Sequence, residues 1–136
     1  RRVLFRSLGH LATALERVRD YQKMKEPLER ALSIQEREYG SEHVAVAATL
    51  SNFGGALGSL GDYQKEKELL ERALSIQERA YGPEHVDIAV TLFDLGNALC
   101  SLGEYPKQKE VLERALSIQV REYGPEHVEV AATLSS

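Results

Sequence analysis

The octapeptide LERALSIQ occurs three times in the chain, beginning at Leu28, Leu70 and Leu112. The interval is 42 residues, and Tyr21, Tyr63 and Tyr105 keep it, as do His43, His85 and His127. Residues 43–84 and 85–126 agree at 28 of 42 positions. A period of this length marks a tandem array in which each unit is one supersecondary element. Such a unit cannot bury its apolar side alone, so it is stabilised by stacking on its neighbours. The array divides into a partial first unit (8–42), two complete units (43–84 and 85–126) and the start of a further one (127–136). It reads as a piece of something longer.

Residues 1–7 (RRVLFRS) break the period, because they do not resemble HVAVAAT at 43–49. They match what one frame of a common short-read sequencing adapter would encode, and are read as a scar or as a divergent N-terminal stretch. Without Arg1, Arg2 and Arg6 the balance is 14 basic against 21 acidic residues, or −7 in place of the full chain's −4.

Each unit carries two helical patterns. Ala47, Leu50, Gly54, Leu57 and Leu60 recur at the i, i+3, i+4 spacing of a helix stripe, as do Ala89, Leu92, Gly96, Leu99 and Leu102. Gly61 and Gly103 follow at the place where a left-handed residue ends a helix, and Asp62 is suited to cap the next one. The second helix, from Tyr63 to about Ala80, sets Leu70, Ala73, Leu74 and Gln77 on one face and charged residues on the others. Tyr21, Tyr63 and Tyr105 are expected to fill the joint between paired helices. The fold class is all-α: a right-handed solenoid of stacked antiparallel helix pairs.

These residues resemble the tetratricopeptide repeat, in the long 42-residue variety found in kinesin light chains. The resemblance covers the chain from Leu8 onward. It rests on Leu92, Leu95-Gly96, Leu99, Gly103-Glu104-Tyr105, Leu112 and Ala115-Leu116, and on the Tyr-Gly-Pro-Glu-His linker. It implies a protein-binding scaffold whose first helices line a concave groove. Two positions depart from the family pattern. Met24, Glu66 and Gln108 stand where a small residue usually faces the first-helix glycine, so they should push the helices apart or bend outward with their tips in water. Pro27 lies where Leu69 and Val111 sit in the other units, at a cost of roughly 3 kcal/mol inside a helix, which predicts a kink or a late helix start.

The two complete units differ in their first helices at Ala48/Val90, Ser51/Phe93, Asn52/Asp94, Gly55/Asn97 and Gly58/Cys100. These pairs form one helical stripe beside the constant packing stripe. They are the candidate groove residues; the competing reading is drift at positions that nothing packs against. The partial unit would add Gly9, His10, Thr13 and Glu16. Residues 43–61 contain no Lys, Arg, Asp or Glu, and 85–103 contain only Asp87 and Asp94. Phosphate or a terminal carboxylate would need clustered cations. A peptide or partner helix with small or apolar side chains fits better, with Asn52 and Asn97 to bond its backbone and Asp94 to meet a basic residue.

Other classes find no support. The acidic balance argues against nucleic-acid binding, and no apolar run approaches the roughly 18 residues that span a bilayer. His43, His85 and His127 lie too far apart to share an ion whose ligands sit at about 2 Å, so no metal site is assigned and capping or packing at the start of the first helix is expected of them. Cys100 has no His and acid placed to activate it, and no cofactor motif is present. A lone cysteine suits a reducing compartment, hence the cytoplasm. The chain is therefore expected to be a non-catalytic protein-interaction scaffold. Alternatives are a sensor segment of a larger signalling NTPase and an architectural spacer that self-associates end to end.

Overall fold

Glycine sets the length of the helices. The structure, a computed structural model, describes residues 2–124, without the side chains of residues 2–10, 12–14 and 17. Five helices follow in order, α1 (Arg2–Tyr39), α2 (Val44–Ser59), α3 (Tyr63–Tyr81), α4 (Val86–Ser101) and α5 (Tyr105–Tyr123), with no strand among the described residues. Gly61 (φ +91°) and Gly103 (φ +76°) end α2 and α4 in the left-handed region. There the Asp62 N–H donates to the Leu57 carbonyl and the Gly61 N–H to the Gly58 carbonyl, with the same pair of bonds repeated one unit later. This turn folds α3 back on α2 and α5 back on α4.

At the other end of each unit the histidines act as caps. His43 Nδ1 accepts from the Ala45 N–H at 3.0 Å and His85 Nδ1 from the Asp87 N–H at 3.1 Å. Each imidazole also stacks on the preceding tyrosine, Tyr39 or Tyr81, with centroids 4.8 and 4.5 Å apart. Asp62 caps α3 by accepting from the Lys65 N–H. Glu104 makes no such bond; its carboxylate instead holds Lys67 at 3.0 Å and raises that lysine's pKa through the hydrogen bond.

The helices pack in chain order, each against the next, as a stacked all-α solenoid. Three apolar clusters follow one another along it. Val46, Leu50, Phe53 and Leu57 of α2 meet Leu69, Ala73 and Ile76 of α3 on one side and Leu28 and Leu32 of α1 on the other. Ile88, Leu92 and Leu99 of α4 repeat the pattern against α5 and α3. Periodic polar bonds hold the units in register. Thr49 bonds Gln35, and Thr91, 3% exposed, bonds Gln77 at 2.6 Å. Arg72 reaches back to Glu36 and Arg114 to Glu78. Such half-exposed ion pairs contribute little energy individually, but each fits only one stacking register.

Three expectations need correction. The partial first unit is not a hairpin: α1 is continuous, because Arg19 occupies the place of Gly61 and Gly103 and is itself a good helix former. Nor does Pro27 delay a helix start, since α1 runs through it. Lys23 and Pro27 are both exposed, so water can take the carbonyl that proline leaves unbonded. Finally, Tyr63 and Tyr105 do not fill a joint; they are 37% and 63% exposed at the starts of α3 and α5. Tyr21 is half-buried against the core and donates to Asp62. Leu11 and Leu15 of α1 are also exposed, whereas their equivalents Phe53 and Leu57 are buried in the core. His127 lies outside the described residues.

Candidate functional site

Stacking first helix against first helix leaves a shallow depression of about 310 Å³ between α2 and α4. Ala48, Ser51 and Asn52 supply one wall, and Asp87, Val90, Thr91 and Asp94 the other, with Gln77 of α3 between them. The two helices touch only lightly, and the short side chains of Ala48, Ser51 and Asn52 leave the space between them open. Its surface is mixed. Val90 is 61% exposed, an apolar side chain left open among the described residues. Asn52 and Asp94 are exposed as well, carrying a neutral amide and a carboxylate.

The carboxylate is electrostatically unusual. Partial desolvation of the Asp94 carboxyl at the edge of the depression raises its pKa above the ordinary 3.8. Glu66 of α3 is raised above 4.5, first by burial and then by the charge of Asp94. No cation contributes to either shift. The two partly desolvated carboxyls repel without a positive charge contributing to either shift, Asp94 lining the depression and Glu66 seated at Gly58, which costs the folded state free energy.

Five of the ten candidate residues, Ala48, Ser51, Asn52, Val90 and Asp94, come together here. Gly55, Asn97 and Cys100 lie exposed on the same helices but outside the depression, and Phe93 is half-buried and does not line it. Gly58 is roofed over. A Cβ built there would stand 2.5 Å from the carboxyl atoms of Glu66, so the glycine is the seat of that side chain rather than open groove. Room made by the glycine also accounts for a long residue at position 66 in a close-packed hairpin. Of the first-unit residues, Glu16 is exposed on α1, while the side chains of Gly9, His10 and Thr13 lie outside those described.

Gln77, Asp87 and Thr91 were not among the candidates. Gln77 and Thr91 recur in the neighbouring units as Gln35 and Thr49, so a search for positions that change between units passes over them. Their mutual bond both fixes the register and floors the groove. Among the described residues no group of three His, Cys, Asp or Glu converges as a metal site, and no helix is long and apolar enough to cross a membrane.

Comparison with known proteins agrees with the stacked-helix fold. One tetratricopeptide-repeat family model matches residues 3–79 and 67–107, and a second matches 88–129. Among solved structures, the chain is similar to nearly identical TPR-like repeats assigned to a kinesin light chain of Podosopora anserina, at TM-score 0.72 and 28% identity. The match covers 91% of this chain and 62% of that one. A single-residue variant of the same protein matches with equal score and identity, over 91% of this chain and 61% of the variant. This chain thus spans about six-tenths of the length of the solved arrays it resembles. No curated protein sequence matches significantly.

Proposed function

The chain belongs to the tetratricopeptide-repeat family, and from that premise we propose that it is a non-catalytic protein-interaction segment holding a peptide or partner helix between α2 and α4. The observation that carries the reading is the depression itself, which gathers five residues from three repeat positions that differ between otherwise matching units. Ala48 and Val90 offer small and apolar contact to the guest. Asn52 can donate to and accept from its backbone. Asp94, with Glu66 and Asp87 near it, asks for a lysine or arginine. A guest cation would relieve the desolvated carboxyls, so electrostatics add selectivity as well as attraction. The stacked helices are ordered before the guest arrives, which limits the entropy lost on binding. The cytoplasm is the compartment we assign, on the single exposed thiol of Cys100.

The test uses a fluorescein-labelled peptide of alanine and leucine around one arginine, beside the same peptide with glutamate at that place. Fluorescence anisotropy should show the arginine peptide binding more tightly. Asp94→Asn should weaken it by about tenfold, the worth of one charge-assisted hydrogen bond, and Val90→Lys should abolish it. Equal binding of both peptides, or binding indifferent to Val90→Lys, would remove the groove assignment.

A further inference from the structure

The continuous first helix leaves a seat open that the other units fill. In the complete units the second helix is covered by its own first helix: Leu69, Ala73 and Ile76 of α3 are at most 8% exposed against α2. One unit earlier the equivalents are Pro27, Ala31 and Ile34 of α1. All three are exposed, Ile34 by 51%. With Lys23, Glu26 and Arg30 they line an open trough of about 470 Å³ along the helix. Everywhere else in the described array, this face is met by a segment of the kind found at residues 8–18. The chain's own segment cannot reach it, because α1 does not break at Arg19.

We propose that a second copy of the chain fills the trough. Residues 8–18 of each copy then lie antiparallel on residues 23–34 of the other, giving a two-fold dimer that exchanges first helices. The complete units supply the register. Gly54 faces Leu69 and Gly58 faces Glu66, so the corresponding pairs are Ala12 with Pro27 and Glu16 with Met24 of the opposite copy. The two-fold axis passes beside Asp20. Charge suits this register at two pairs, while the two Asp20 carboxylates meet at the axis. Glu16 takes the seat that Gly58 leaves for residue 66, so the flexible Met24 must swing aside. A Cβ built at Gly54 meets its nearest neighbours at 3.4 to 3.6 Å, ordinary contact, so the seat admits the alanine that the sequence has at position 12. Glu16 comes beside Lys23 of the opposite copy, and Arg19 beside Asp20. Both pairs are of opposite sign. The hinge is the physical switch: with glycine at 19 the segment folds back on its own chain, and with arginine it extends to another.

Light scattering on the eluting whole chain should give twice the 15.2 kDa of one copy, from micromolar concentration upward. Arg19→Gly should return the mass to a single copy while circular dichroism stays helical. In a Cys100→Ala background, Asp20→Cys should form a disulfide-linked dimer on oxidation, since the two positions meet at the axis. A single-copy mass at every concentration would overturn the proposal. So would a doubled mass that survives Arg19→Gly and is not captured by Asp20→Cys, which would place the contact at the ends of the array or in the α2–α4 groove.

Discussion

Gly54 and Gly96 are equivalent by sequence but not by packing, and one substitution separates them. Alanine in place of a mid-helix glycine gains about 1 kcal/mol in helix propensity. At Gly54 nothing opposes that gain, because the nearest atoms to a built Cβ are the Glu66 carbonyl oxygen at 3.4 Å and Leu69 at 3.6 Å. At Gly96 the same carbon would stand 2.8 Å from Leu112 Cδ2, 3.1 Å from its Cγ and 3.4 Å from Val111 Cγ2. The Cδ methyl can swing away, but the Cγ is tied to the backbone, so α4 and α5 must move apart slightly. Overpacking of this kind costs about 1–3 kcal/mol. Gly54→Ala should therefore stabilise the chain by up to about 1 kcal/mol, and Gly96→Ala should be neutral or destabilise it by up to about 2 kcal/mol. Urea unfolding followed by circular dichroism reads the difference. With a slope of about 2 kcal/mol per molar, Gly54→Ala raises the midpoint by about 0.5 M, whereas Gly96→Ala leaves it in place or lowers it. Equal midpoint shifts in the two variants would refute the claim that the third unit's hairpin is seated more tightly on its glycine.

Three further outcomes are expected. Thr91→Val removes the 2.6 Å bond to Gln77 within the stack and should cost about 1–2 kcal/mol, with Thr91→Ser recovering most of it; urea midpoints check both. The raised pKa values of Glu66 and Asp94 mean that the folded state holds these protons more tightly than the unfolded chain does. Their contribution to stability is thus present below the ordinary carboxyl values of 4.5 and 3.8 and is lost as pH rises through the raised ones. Asp94→Asn should accordingly stabilise the chain at neutral pH and lose that advantage in acid, as thermal melts across pH will record. A trough of about 260 Å³ over Leu74, Leu95, Leu99 and Val111 lies where the preceding unit has the larger Phe53 and Leu69 in place of Leu95 and Val111. Val111→Leu should fill part of it and raise stability by about 0.8 kcal/mol, one buried methylene, measurable in the same urea assay.

The period and the hairpin turns were legible in the sequence because glycine at 61 and 103 and the apolar stripes beside them state one backbone geometry twice. The groove was half legible. Comparing units found Ala48, Ser51, Asn52, Val90 and Asp94, since those positions change while their neighbours stay fixed. The same comparison hid Gln77 and Thr91, whose role in the stack keeps them constant. Glu66 was visible as an oversized residue, but where its carboxyl goes depends on the absence of a side chain at Gly58, a contact across two helices that periodicity does not report. The unbroken α1 was written in Arg19. Extending the hairpin of the complete units to the partial one overlooked that a single missing glycine removes the turn. Tyr63 and Tyr105 were misplaced for a related reason: a helix-starting residue has only its own turn to lean on, whereas Tyr21 sits within a continuous helix and reaches the next unit.

The account stands on the wall between α2 and α4 being where a guest is held. The direct measurement is an amide NMR titration of the isotope-labelled chain with the alanine, leucine and arginine peptide described above. The largest shifts should fall on Ala48, Ser51, Asn52, Val90 and Asp94, and Asp94→Asn should need about tenfold more peptide to reach the same shifts. Shifts concentrated on the outer faces of α3 and α5, with those five amides unmoved, would contradict it.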